Sequence, residues 1–274
     1  MTIRGEAKAA LAALASLPDE EIDLAEAALA LSALGAGAPD PAPYRQHLAE
    51  IATAVGNAAG TSFNSRIDAL NHVILGTFGY DGDALNYDDL DNADLARVID
   101  RRKGLPVALG ILYLHAARAQ GWSTAGLGFP GHFLIRVDGD GVAAVVDPFH
   151  AGRVLEAAGL RELLKATCGL DAELEPAHWQ PVTNRDVLIR LQNNIKARCL
   201  QSGDIARALQ AVEAMLLFAP DVAHLWRDAG VLNVKLGQLG GAVRALERYV
   251  DLSGGGPARA EAEQLLSRIR AGLN

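Results

Sequence analysis

Apolar residues recur at helical spacing through the first part of the chain. In residues 22–33 they fall on both sides of the predicted helix, so we expect this helix to be covered on both sides. The same spacing predicts a second helix through residues 47–55 and a third over residues 68–74. We therefore assign residues 1–80 to an N-terminal helical segment of the core domain.

The pattern becomes more strongly apolar after residue 104. Residues 105–120 predict a buried helix with Pro106 in its first turn, where the missing backbone N–H costs little because no helical partner exists there. Gly121 follows the last apolar position and is placed to end the helix in a left-handed conformation. This helix is the predicted centre of the core domain.

Short strands are predicted to follow that helix. One covers residues 125–129, and residues 132–146 read as a hairpin because an Asp-Gly-Asp-Gly run separates two apolar segments. In this pairing His132 and Asp147 lie near the open ends of the strands, where their side chains can meet. We assign residues 81–180 to a core in which a helix packs on an antiparallel sheet.

The residue pattern of the last region predicts a helical repeat. A shift of 34 residues superimposes Gly203 on Gly237, and Trp226 falls where a tetratricopeptide unit places its tryptophan. We assign residues 181–274 to an all-α, tetratricopeptide-like tail. The predicted fold class of the whole chain is α+β.

Composition narrows the possible partners. The chain has 274 residues, a net charge of -8 and two cysteines, and half of its residues are hydrophobic. The negative charge argues against a general nucleic-acid binder, which needs a basic face. The apolar run from Leu24 to Ala36 is too short to cross a bilayer, and the alanine-rich start is soon broken by Pro18. We expect a cytoplasmic protein that binds neither nucleic acid nor a membrane.

The whole chain resembles the bacterial SirB-type family, which joins a transglutaminase-like core to a tetratricopeptide tail. The resemblance rests on blocks that agree in order, spacing and flanking residues, at residues 70–73, 92–100, 101–109, 128–134, 147–149 and 227–230. It implies a papain-like or transglutaminase-like core in which a helix, a histidine and an aspartate follow one another. His132 and Asp147 would then stand at the positions of two catalytic residues.

The resemblance also implies that the nucleophile is missing. Active relatives in the wider superfamily open the helix with Gly-x-Cys, and aligning Gly104, Arg118 and Gly121 with that pattern places Pro106 at the cysteine position. Proline has neither a lone pair nor a proton to offer, so a covalent acyl transfer is excluded. His132 and Asp147 are then the remnant of a degenerate triad.

Further site residues are expected around the cleft and in the repeat tail: Asn92, Gly131, Phe149, His150 and Trp226. The set His132, Asp147 and His150 has the chemistry of a zinc or iron site. No helical HxxxH spacing fixes the geometry of these ligands, so we predict no metal and no other cofactor.

Two functions follow from this reading. We expect a non-catalytic pseudoenzyme that binds a protein or peptide through the repeat tail and the degenerate cleft, with His132 and Asp147 as a structural pair. The alternative is a hydrolase of amidase or peptidase type, in which His132 activates water and Asp147 fixes its tautomer. Cys168 and Cys199 are expected to be buried or incidental.

Overall fold

The computed structural model of this chain describes residues 2–35 and 37–273. These residues divide into two compact units, one formed mainly by Pro18–Leu191 and the other mainly by the residues from Gln192 onward. The N-terminal helix α1 spans Ile3–Leu14. The first unit combines helices with a small antiparallel sheet and the second is helical, so the predicted α+β class is confirmed.

The helices of the first unit pack mainly on α6, and α6 and α7 also contact the four-stranded sheet. They are α2 (Leu24–Leu34), α3 (Ala42–Ala58), α4 (Phe63–Asn71), α5 (Leu95–Arg101), α6 (Pro106–Arg118) and α7 (Ala157–Cys168). Helix α2 is buried on both sides, as expected. The third predicted helix starts earlier than residue 68, because the Ser62 hydroxyl caps it by accepting a hydrogen bond from the N–H of Ser65.

Helix α6 is the most buried helix of the first unit, with every residue from Pro106 to Leu114 inside. Gly110 lets the ring of Phe133 approach, since a Cβ at Gly110 would lie 2.5 Å from its Cε1 atom. Gly121 has a φ of +73° and ends the helix as predicted, because its N–H donates to the carbonyl of Arg118. The fold of this unit is built against α6.

The four-stranded sheet has the order β3-β4-β5-β6, and all its neighbours are antiparallel. A separate parallel pair precedes it. The strands are β1 (Asp81–Gly82), β2 (Lys103–Gly104), β3 (Ser123–Gly126), β4 (Ile135–Gly139), β5 (Val142–Asp147) and β6 (Arg153–Leu155).

The predicted hairpin forms between β4 and β5, but its first strand is shorter than predicted. The turn residues Asp140 and Gly141 have φ values of +54° and +78°, as an Asp-Gly turn of two residues requires. The strand begins at Ile135 and not at His132. Phe133 and Leu134 are both buried, so the alternation of a half-exposed strand does not hold there.

The second unit is a stack of helices with a 34-residue period. Its helices are α9 (Ile205–Phe218), α10 (Ala223–Lys235), α11 (Leu239–Leu252) and α12 (Pro257–Leu273), and α8 (Asn184–Ser202) precedes them. Gly203 and Gly237 both have a positive φ, which confirms the predicted superposition. Among the described helices none has the length and the apolar character that a bilayer span requires.

Replacing Gly230 by alanine should destabilise the repeat unit. A Cβ at this position in α10 would lie 2.7 Å from two side-chain atoms of the buried Leu246 in α11. Overpacking of this kind costs about 1–3 kcal/mol, which exceeds the gain of about 1 kcal/mol that alanine brings to a helix. Urea unfolding should therefore show a lower unfolding free energy for Gly230→Ala.

The matched control is Gly240→Ala. Gly240 lies in α11, and a Cβ there would meet only the end of the Arg244 side chain at 3.6 Å. We expect no loss of stability for this variant. Equal destabilisation by both substitutions would contradict close packing of α10 on α11.

Candidate functional site

A histidine and an aspartate meet at the end of the four-stranded sheet. Asp147 is the last residue of β5 and is fully buried, and His132 lies just before β4 with 6% of its surface exposed. Nε2 of His132 lies 2.8 Å from Oδ1 of Asp147. The nitrogen that does not face the carboxylate is therefore Nδ1. The contact that the strand pairing made feasible is present.

Asp147 also accepts hydrogen bonds from the turn that follows it. Its Oδ1 accepts the backbone N–H groups of Phe149 at 3.0 Å and His150 at 3.3 Å, and its Oδ2 lies 2.7 Å from Nδ1 of His150. Burial alone would raise the pKa of Asp147, but the hydrogen bonds and charges of His132 and His150 outweigh burial and hold the pKa below its ordinary value. The carboxylate is ionised at neutral pH.

His150 gives the pair a third member. Its side chain is half exposed, and its ring stacks on that of His132 with 5.5 Å between the centroids. His132, Asp147 and His150 each offer one metal-ligand atom, and these atoms lie within 4.8 Å of one another. Among the described residues, these three have ligand atoms that lie close enough together to hold a metal ion. Both oxygens of Asp147 already have N–H partners, so the carboxylate is satisfied by hydrogen bonds alone.

The backbone that carries His132 is held on two sides. Gly131 has a φ of +70°, and a Cβ there would lie 2.7 Å from the Cβ of Thr167 in α7. Arg190 donates from Nη2 to the carbonyl of His132 at 2.6 Å and from Nη1 to that of Phe129 at 2.9 Å. Sequence reasoning missed Arg190, because an arginine within a helical segment is typical of an exposed surface.

A second network supports the turn after His150. The Tyr113 hydroxyl donates to Oδ1 of Asn71 at 2.9 Å, and Nδ2 of Asn71 donates to the carbonyl of Gly152 at 3.0 Å. Burial first, and then the charge of Asp147, raises the pKa of Tyr113, so this hydroxyl stays protonated as a donor. Asn71 belongs to a block on which the family resemblance rests, but its role was not foreseen.

Pro106 stands buried in the first turn of α6. Gly110, one turn further along the same helix, contacts the ring of Phe133, and Phe133 directly follows His132 in the chain. Helix α6 therefore packs against the segment that carries His132. The assignment of Pro106 to a nucleophile position remains a prediction.

Two of the predicted binding residues line this region differently. Phe149 contacts His132 edge to face with 6.0 Å between the ring centroids, and it contacts Tyr87 in the same way at 5.6 Å. Asn92 is fully buried, and its carbonyl accepts a hydrogen bond of 2.9 Å from the N–H of Leu105. Asn92 thus fixes the approach to α6, whereas Phe149 borders the histidine.

The second unit contains a groove of about 650 Å³. Leu200 and Val231 leave 38% and 39% of their surface exposed along it. Its charged lining consists of the cations Lys196, Arg227, Lys235 and Arg268 and the carboxylates Asp228 and Glu261. Lys196 pairs with Asp228 at 2.7 Å, which leaves three cations facing one carboxylate.

Trp226, the predicted binding residue of the repeat, does not line this groove. Its indole packs against the apolar cluster of α11 and α12, and its Nε1 donates to the carbonyl of Pro220 at 2.7 Å. It borders a smaller cavity of about 430 Å³ in the same unit. Its binding role stays a prediction.

The two cysteines have different surroundings. Cys168 is exposed at the end of α7, with its Sγ 3.6 Å from the hydroxyl of Thr167. Cys199 is buried, and burial raises the pKa of its thiol. No hydrogen bond joins either thiol to His132 in the part of the chain that the structure describes.

Comparison with known proteins agrees with this architecture. The sequence pattern of the transglutaminase-like superfamily matches residues 42–193, and that of the tetratricopeptide repeat matches residues 195–270. A UPF0162 protein of Xylella fastidiosa is 33% identical over 190 residues, which cover 68% of each chain. A UPF0162 protein of Vibrio cholerae is 31% identical over 173 residues, with 63% of this chain and 64% of the relative covered.

Protein SirB1 of Salmonella typhimurium is 25% identical over 176 residues, which cover 64% of this chain and 65% of the relative. The combination of the two domains suggests a protein-interaction module. The core pattern spans more than half of the chain, and the repeat pattern follows it directly. This chain belongs to the SirB-type branch of the transglutaminase-like superfamily, with a tetratricopeptide tail.

Proposed function

We propose that this chain is a transglutaminase-like pseudoenzyme that binds a protein or peptide partner. The observation that carries the proposal is the groove of the repeat unit, which is partly apolar and has more cations than carboxylates. Tetratricopeptide stacks form extended binding surfaces of this kind, and such repeats generally mediate protein–protein interactions.

The lining of the groove favours an acidic segment with apolar side chains. Arg227, Lys235 and Arg268 have no carboxylate partner within 4.0 Å among the described residues. Leu200 and Val231 supply the apolar surface beside them. A cationic groove in a chain whose net charge is -8 would attract an acidic partner locally, and this attraction would weaken with salt.

A non-catalytic cleft is supported by the chemistry at the start of α6. Covalent acyl transfer needs a nucleophile that His132 can deprotonate, and Pro106 provides none. The cleft would then contribute to binding through Phe149 and the half-exposed His150, which border the buried His132.

Hydrolysis is the second candidate, and one contact favours it. The hydrogen bond of 2.8 Å from Nε2 of His132 to ionised Asp147 would fix the tautomer that leaves Nδ1 as a base. Such a base can activate water without a cysteine. This candidate requires turnover that depends on His132.

Reversing two charges in the groove should weaken partner capture. We expect the double variant Arg227→Glu and Arg268→Glu to lose at least about tenfold in affinity, a difference of about 1.4 kcal/mol. The measurement is affinity capture from the native lysate with mass spectrometry, followed by titration of the recovered partner at low and high salt.

The control for the charge reversal is Arg207→Glu, which changes an exposed arginine outside the groove lining. This variant should capture the same partner as the unmodified chain. Equal loss with the control, or no loss with the double variant, would contradict binding through the groove.

His132→Ala separates the two candidate functions. The substitution removes one donor from Asp147, and we expect the unfolding free energy to fall by about 1–3 kcal/mol. A pseudoenzyme should still capture its partner, chemically unaltered. A hydrolase should yield a cleaved partner with the unmodified chain but not with His132→Ala. His224→Ala, which removes an exposed histidine of the other unit, is the control.

Acid should remove the contribution of Asp147 to stability. The pKa of this carboxyl is lower in the folded chain than its ordinary value of 3.8, so the folded state favours the ionised form. The stabilisation is present above the unfolded pKa and is lost as the pH falls through the folded pKa. Urea unfolding of Asp147→Asn should show a weaker fall between neutral and acidic pH than the unmodified chain, and identical slopes would refute this.

A further inference from the structure

An exposed acidic segment follows helix α7 in the first unit. Residues 169–175 carry three exposed carboxylates at alternate positions, which are Asp171, Glu173 and Glu175. The side chains between them, Ala172 and Leu174, pack against a buried apolar cluster of the same unit. These two side chains therefore hold the segment to the core, while its carboxylates remain in contact with solvent.

The carboxylates of this segment have no cation beside them. Among the described residues, no lysine, arginine or histidine nitrogen lies within 4.0 Å of Asp171, Glu173 or Glu175. Leu170 precedes them and leaves 82% of its surface exposed. A single exposed leucine is common on protein surfaces, so the unpaired charges carry more weight than Leu170 does. Together they form an acidic segment with an apolar side chain, which is the kind of ligand that the groove of the repeat unit favours.

The groove offers the opposite charges on an exposed surface. Arg227, Lys235 and Arg268 are exposed, and they outnumber Glu261, the carboxylate of the lining that is not paired with a lysine. Val231 adds apolar surface that is 39% exposed. The charges of the segment and of the groove are therefore complementary in sign and nearly equal in number.

The spacing of the charges agrees as well. Arg227 and Lys235 stand eight residues apart on α10, which separates their backbone positions by about 12 Å along the helix axis. Val231 lies midway between them on the same side of the helix, because residues four apart are neighbours. Asp171 and Glu175 are four residues apart, and a chain of this length spans up to about 13 Å. The two cations can therefore meet the two outer carboxylates at the same time.

We propose that the groove binds residues 169–175 of a second copy of this chain. The proposal rests on the proposed function, since it names the partner of the same groove. The carboxylates of the segment pair with the three cations, and Leu170 packs against Val231. Segment and groove are different surfaces, so each copy can donate one segment and receive another.

Charge-swapped variants of the full chain test the proposal by analytical ultracentrifugation. The segment variant carries Asp171→Lys and Glu173→Lys, and the groove variant carries Arg227→Glu and Arg268→Glu. At low salt the unmodified chain should self-associate, with a mass that rises with concentration up to about 1 mM. It should dissociate in about 1 M salt, where the screening length is about 3 Å.

Each variant alone opposes like charges, so its self-association should weaken at least about tenfold. An equimolar mixture of the two variants should associate again, because the basic segment of one meets the acidic groove of the other. The native pairing of acidic segment and basic groove also remains available in that mixture. All four substituted residues are exposed, and circular dichroism checks that both variants fold.

The matched control is the double variant Glu20→Lys and Asp68→Lys. It changes the net charge by the same amount as the segment variant, at two exposed carboxylates elsewhere in the first unit. This variant should associate as the unmodified chain does. Association that is lost equally in the control would show an effect of net charge and would contradict docking of the segment.

A chain that stays monomeric at every concentration, or a mixture of variants that does not associate, would overturn the proposal. Capture of a different partner through Arg227 and Arg268 would in that case leave the proposed function standing. Absence of both self-association and capture would reject the proposed function as well.

Discussion

A buried carboxylate requires hydrogen-bond donors, and the arrangement of residues around Asp147 follows from that requirement. Asp147 accepts N–H groups from His132, Phe149 and His150. These donors close the turn after β5 and hold the imidazole of His132 against the end of the sheet. Removing any of them leaves part of a buried charge unpaired. The turn after β5, the segment that carries His132 and the end of β5 are therefore stabilised together.

Helix α6 connects the surroundings of Asp147 to the rest of the first unit through packing and hydrogen bonds. Its apolar surface makes it the centre of the core, Gly110 receives the ring next to His132, and Tyr113 supports the turn through Asn71. The last turn of the same helix places His115 and Arg118 in the lining of a cavity of about 720 Å³, beside the acidic turn before α2. One rigid element therefore positions the polar groups of two chemically different regions.

The parts of the fold that could be predicted are those encoded by local patterns. The Asp-Gly turn, the end of α6 at Gly121 and the period shared by Gly203 and Gly237 each depend on a few neighbouring residues. The start of β4 could not be predicted by alternation, because both Phe133 and Leu134 find apolar partners.

The site was predictable only where its residues stand in recognisable blocks. The contact of His132 with Asp147 followed from the strand pairing, and the position of His150 followed from its nearness in sequence. Arg190 could not be foreseen, because its role arises from two backbone carbonyls that are distant in the chain. The cavity beside Arg118 likewise depends on segments that meet only in the folded chain.

The presence of a histidine and an aspartate in contact is therefore weak support for catalysis in this fold. The pair would stabilise the cleft with a proline at the start of α6 as well as with a cysteine, because none of the donors to Asp147 comes from that position. Catalysis makes a further demand, which is an atom that His132 can deprotonate or a water that it can hold. Binding in the groove of the repeat unit would need neither a nucleophile nor a held water. Apolar surface and cationic side chains would be sufficient for it. Binding through the groove would thus use residues that are present, whereas catalysis by His132 would need either a nucleophile that it can deprotonate or a water that it can hold.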